Sequence, residues 1–83
     1  MGRVNDMVLL KLLKKTETEV IYAYYPEGKK VFGIISYNLK TKEPTLLKDD
    51  GVYISEYRGH AYHKIMEYDE NGHFEEEGIS AWY

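Results

Sequence analysis

Cysteine is absent from this sequence, and arginine and proline are scarce, with two of each among its 83 residues. Without cysteine the chain lacks the disulfide bonds that stabilise many small secreted domains, and it has no thiolate ligands for zinc. This composition favours an intracellular protein, and we predict a cytoplasmic location.

Long hydrophobic runs are also missing. The early apolar stretch at residues 7–13 is interrupted by Lys11, and no small-residue cleavage site follows it. A stretch of this kind is neither a membrane span nor a signal sequence. We therefore expect no association with membranes.

Catalytic and cofactor-binding motifs are missing as well. Ser36, Ser55 and Ser80 lie in no nucleophile elbow, and the scattered glycines form neither a phosphate-binding loop nor a dinucleotide fingerprint. A chain of 83 residues is one domain, residues 1–83, whose core has little volume for a deep pocket. The sequence predicts a non-enzymatic protein without a bound cofactor.

Tyrosine is the residue that this chain has in excess, with 9 Tyr beside 2 Phe and 1 Trp. Each aromatic side chain can bury roughly 150–250 Å², which gives a small core more area than aliphatic side chains would. We expect several tyrosines in the core, where their hydroxyl groups need hydrogen-bond partners.

Charge is divided between the two halves of the sequence. Nine basic and five acidic residues leave +4 on residues 1–48, whereas two basic and nine acidic residues leave −7 on residues 49–83. The division indicates either complementary pairing within the fold or a surface with opposed poles.

Four segments of the first half have the composition of strands. Residues 7–14 suit either a short helix or a strand, and we favour the strand. Residues 19–25 and 30–37 are β-branched and aromatic, and Gly33 within the latter marks a bulge or a close contact. A short strand at 45–48, preceded by Pro44, completes an antiparallel meander.

The second half begins with a helix, because apolar residues recur at spacings of three and four over residues 55–68. Asn71 and Gly72 supply a stop signal, and residues 79–83 suit a strand that rejoins the sheet. The predicted fold is α+β: an antiparallel sheet of four or five strands with one helix packed on one face.

The C-terminal third contains Gly59-His60, Ile65, Gly72-His73-Phe74-Glu75 and a final Glu76-Glu77-Gly78-Ile79-Ser80-Ala81-Trp82-Tyr83. This tail, with the pattern EEG-x-x-AWY, resembles that of small bacterial proteins without assigned activity. The resemblance implies a compact sheet-plus-helix domain and carries no catalytic residue to this chain.

One helix covers one face of the sheet, so the opposite face is left for a partner. That face carries either Tyr22 and Tyr24 or Ile21 and Tyr25. We predict a protein-interaction module, self-associating as a homodimer through an aromatic sheet face and the divided charge. The candidate surface residues are Tyr22, Tyr24, Tyr25, Tyr37, Lys29 and Lys30.

Two alternatives remain. Lysines beside these tyrosines are typical of single-stranded nucleic-acid binding, although the chain is acidic overall and poor in arginine. The lysines concerned are Lys11, Lys14, Lys15, Lys29, Lys30, Lys40 and Lys42. The second alternative is a metal site on the polar side of the helix, where spacings of four, three and four separate Glu56, His60, His63 and Glu67.

Overall fold

The computed structural model describes residues 6–51 and 55–82, which form one sheet and one helix. The strands are β1 (Asp6–Lys15), β2 (Glu19–Pro26), β3 (Gly33–Asn38), β4 (Pro44–Lys48) and β5 (Glu77–Trp82), and the helix is α1 (Ser55–Asn71). The predicted strand at residues 7–14 is confirmed, and so is the helix, which continues three residues beyond its predicted end. Tyr83, assigned to the last strand, lies outside the described residues.

The sheet is antiparallel throughout, with the strand order β4-β3-β2-β1-β5. Its first four strands follow one another as a meander, and β5 returns after the helix to pair with β1. The predicted fold is therefore confirmed, with five strands. Two irregularities interrupt the pairing, one between Leu12 and Lys14 in β1 and one where β4 meets Ile34 and Ile35 of β3.

The core lies between the sheet and α1. From the helix it receives a stripe at the predicted spacing, formed by Tyr57, Ala61, Ile65 and Tyr68. From the sheet it receives the alternate residues Val8, Leu10, Val20, Tyr22, Tyr24, Ile35 and Tyr37. The helix ends at Asn71, and Gly72 follows with a positive φ of 77°, a conformation that glycine adopts without steric cost.

Gly33 occupies a position where the core has no room for a side chain. It pairs with Tyr24 across β2 and β3, and a Cβ at Gly33 would overlap the Tyr24 ring. The glycine thus lets a large aromatic side chain lie flat across the neighbouring strand. This confirms the close contact that the isolated glycine indicates.

Among the described residues, α1 covers one face of the sheet and no element covers the other. We call this second side the open face. None of the helical segments within 6–51 and 55–82 has the length and apolar character needed to cross a membrane.

Candidate interaction surface

Most of the residues on the open face are apolar. Strand register assigns to it the residues that alternate with the core set in β1, β2, β3 and β5. We add Phe32, whose ring lies beside Tyr25, and Leu47, which lies at the register shift next to Lys48 in β4. Its apolar members are Met7, Leu9, Ile21, Ala23, Tyr25, Phe32, Ile34, Leu47, Ile79 and Ala81. Ala23 is buried beneath its neighbours, and most of the others are half-buried. Ile79 and Leu47, on the two edge strands, remain 54% and 56% exposed.

An aromatic pair lies on the open face where β2 ends and β3 begins. The ring centroids of Tyr25 and Phe32 are 5.4 Å apart, with the ring planes tilted by 31°. Lys11 Nζ lies 5.5 Å from the Tyr25 ring centroid, and Lys48 Nζ lies 4.3 Å from that of Phe32. Lys48 also donates a hydrogen bond to the Phe32 carbonyl at 2.8 Å. Both lysines are therefore held beside the rings by cation–π attraction.

Charges of both signs accompany this apolar surface. Lys11 lies directly opposite Glu77 on the neighbouring strand, so a cation and an anion stand side by side. Glu19 accepts a hydrogen bond from the Ser36 hydroxyl at 2.9 Å. The charged residues that register assigns to the open face are Lys11, Lys14, Lys48, Glu19 and Glu77. Three lysines against two glutamates leave the face close to neutral.

Three of the four predicted surface tyrosines are in the core instead. Tyr22 and Tyr24 are completely buried, and Tyr37 is 3% exposed. Their hydroxyl groups donate hydrogen bonds to the Glu75 carbonyl at 2.6 Å, to Asp50 at 2.9 Å and to Asp69 at 3.1 Å, respectively. Burial raises the pKa of each hydroxyl, which keeps it protonated as a donor. Assigning these three to an exposed surface is therefore wrong.

Tyr25 is the one predicted tyrosine on the open face, and Ile21 accompanies it. Of the two alternatives, the open face thus carries Ile21 and Tyr25. Lys29 and Lys30 lie in the β2–β3 loop, beyond the strand ends, where Lys29 forms an ion pair with Glu27 at 3.3 Å. The sequence-based prediction did not include Leu9, Ile34, Leu47 and Ile79 in the surface. Apolar residues next to core residues in a strand lie on the opposite face of the sheet, and this pattern could have identified them.

Oppositely charged residues of the two halves of the sequence contact each other within the fold. Lys42, in the turn before β4, contacts Asp69 near the end of α1 with an Nζ–Oδ2 distance of 2.8 Å. The hydrogen bond from Lys42 lowers the pKa of the Asp69 carboxyl. This ion pair therefore links the turn before β4, in the basic half of the sequence, to α1, in the acidic half.

The predicted metal site on the helix is not formed. Glu56, His60 and His63 line a shallow groove together with Gly59. Glu67 instead contacts Lys64, with 3.2 Å between Oε1 and Nζ. Within 6–51 and 55–82, no three His, Asp or Glu side chains are arranged to hold a metal ion.

Gly78, part of the C-terminal tail pattern, lies against the Tyr68 hydroxyl, where a Cβ would overlap it. The resemblance of the tail to other small proteins stays a prediction. Comparisons with protein-family models, with curated proteins and with solved structures find no match to this chain. Function is therefore inferred from the geometry of the open face.

Proposed function

We propose that this chain is a non-enzymatic module that binds protein through its open face, in the cytoplasm. Two sheet faces differ in a way that supports binding: α1 packs on one of them, whereas no described element packs on the other, which carries mostly apolar residues. The cytoplasmic location is supported by the lack of cysteine.

Continuity distinguishes the open face from ordinary surface. Single exposed apolar residues are normal on soluble proteins, whereas a contiguous apolar patch marks an interaction site. Here the register places Leu9 between Ile79 and Tyr25 on adjacent strands, and the Phe32 ring continues the row. Aromatic centres with charged groups around them are typical of protein interfaces.

Site-specific photo-crosslinking in cells tests this function. A photoreactive phenylalanine analogue at position 79, on the open face, or at position 47, at its β4 edge, should give crosslinked products of discrete mass. The same analogue at Met66 is the matched control, since Met66 is 38% exposed but lies on α1. Products from 47 and 79 without products from 66 are expected. Equal yields from all three positions, or none, would contradict the proposal.

Nucleic-acid binding is a second candidate, favoured by the two lysines beside the aromatic pair. Stacking rings with adjacent cations suit single-stranded nucleic acid. The near-neutral charge of the open face speaks against it, because phosphate contacts need an excess of cations.

Titration of the protein with fluorescent single-stranded oligonucleotides tests this candidate. If it holds, affinity falls steeply with added salt, and Lys11→Ala and Lys48→Ala each weaken binding, whereas the control Lys64→Ala, on α1, does not. An unchanged signal at low salt would remove nucleic acid from consideration.

A further inference from the structure

We propose that the occupant of the open face is a second copy of this chain, packed sheet to sheet about a two-fold axis with both helices outside. The inference rests on the proposed function and names its partner. The resulting assembly has four layers, in the order helix, sheet, sheet, helix. Sheets stacked in this way lie about 10 Å apart, with side chains of the two inner faces interdigitating.

The size of the open face reaches the lower limit of specific protein interfaces. Strands lie about 4.8 Å apart and rise about 3.3 Å per residue, so five strands of about six residues span roughly 24 Å by 20 Å. Two such faces hide roughly 1,000 Å² as flat rectangles, and the relief of the side chains adds to this. Specific protein interfaces begin at about 1,000 Å².

The open face is also complementary to itself. A two-fold interface brings the same patch of both copies together, so a patch with charges of one sign repels itself. Here Lys11 stands beside Glu77, and three lysines accompany two glutamates in all. Each copy therefore offers an anion for the other copy's cation around a shared apolar centre. A near-neutral apolar patch fits a second copy better than it fits a polyanion.

The opposite side of the molecule explains why association stops at two copies. The outward residues of α1 are mostly polar or charged, with Met66 as an apolar exception. They include Glu56, His63, Glu67 and Glu70. Among the described residues, the helix layer thus has no apolar face comparable to the open face. Sheet-to-sheet packing buries the open face of both copies, so a third copy finds no comparable surface among the described residues.

Edge-to-edge pairing through β5 is the competing arrangement, because β5 is an edge strand without a proline or lysine. The two arrangements differ at Leu47, which lies in β4 at the other edge of the sheet. Sheet-to-sheet packing buries both Leu47 and Ile79. Edge pairing through β5 covers Ile79 and leaves Leu47 exposed.

Analytical ultracentrifugation of the purified full chain, in low and in about 1 M salt, tests the inference. We expect a species of about twice the 9.8 kDa monomer mass that persists in high salt, since the interface is mainly apolar. Leu47→Lys and Ile79→Lys should each raise the dimer dissociation constant at least about tenfold, whereas Met66→Lys leaves it unchanged. Circular dichroism of each variant confirms folding, which the exposure of all three positions favours.

Two results would overturn the inference. A wild-type chain that stays monomeric up to about 100 µM has no such dimer. A dimer lost with Ile79→Lys but kept with Leu47→Lys is an edge-paired one. Crosslinking from 47 and 79 to a different protein, together with a monomer in solution, would remove self-association while leaving the proposed interaction function intact.

Discussion

We expect this protein to unfold cooperatively when the pH rises above about 10, the unperturbed pKa of tyrosine. Four tyrosines of the core provide the reason: Tyr22, Tyr24, Tyr37 and Tyr68. Burial raises the pKa of each hydroxyl in the folded chain. The folded state therefore favours the protonated form, and ionisation favours the unfolded chain.

Stability falls at high pH because the unfolded chain releases its tyrosine protons at a lower pH than the folded chain does. A pKa raised by folding adds stability that is fully present below the unfolded-state pKa, and this stability is lost as the pH rises toward the folded-state value. Between those two pKa values, a tyrosine lowers the free energy of unfolding by about 1.4 kcal/mol for each unit of rising pH. A small domain has a total of roughly 5 kcal/mol, so losses at several buried tyrosines remove a large part of its stability.

Phenolate absorbance and far-ultraviolet circular dichroism, followed together in an alkaline titration, measure this effect. These four tyrosines should ionise in the same step in which the secondary structure is lost. Tyr25→Phe is the matched control, because Tyr25 lies on the open face and its removal should leave the unfolding midpoint in place. Gradual ionisation of all 9 tyrosines with the secondary structure retained would contradict the expectation.

Gly33→Ala should destabilise the domain by about 1–3 kcal/mol, the usual range for overpacking a core. The added methyl group would overlap the ring of Tyr24, which is completely buried and donates a hydrogen bond to Asp50. Because that hydrogen bond anchors the ring at its far end, relief of the overlap requires the strand or the ring to move.

Gly59→Ala is the matched control for Gly33→Ala, and it should change stability in the opposite direction. Gly59 is exposed within α1, and a Cβ there would have no neighbour within 4 Å. Alanine in a helix interior is favoured over glycine by about 0.5–1 kcal/mol. Chemical denaturation of both variants measures the difference. A stable Gly33→Ala variant would show that the Tyr24 ring does not constrain this position.

The secondary structure was largely predictable because each element carries a local signal. Residues 19–25 have the β-branched and aromatic composition of a strand, and the structure has a strand at Glu19–Pro26. The helix was visible from its spacing, and its stop from Gly72, which adopts a positive φ. Residues 7–14 were ambiguous, since leucines suit both states, and pairing with β2 and β5 on both sides decides in favour of a strand.

The surface was not predictable, because β2 is apolar on both sides. Tyr22 and Tyr24 face one way, and Ile21 and Tyr25 face the other, so periodicity alone cannot distinguish the core side from the open side. The helix-face metal hypothesis likewise relied on spacing alone. Spacing places side chains on one face of a helix, but it does not bring their ligand atoms together.

By itself, the sequence determined the elements, their order and the single-helix α+β architecture, since turns and hydrophobic periodicity act locally. Only the tertiary structure decided which sheet face α1 covers. The physical reason lies in the tyrosine hydroxyls: Tyr22, Tyr24 and Tyr37 find acceptors at Glu75, Asp50 and Asp69, all of which belong to the second half of the chain. Long-range contacts of this kind leave no local pattern, and they made Ile21 and Tyr25 the open side.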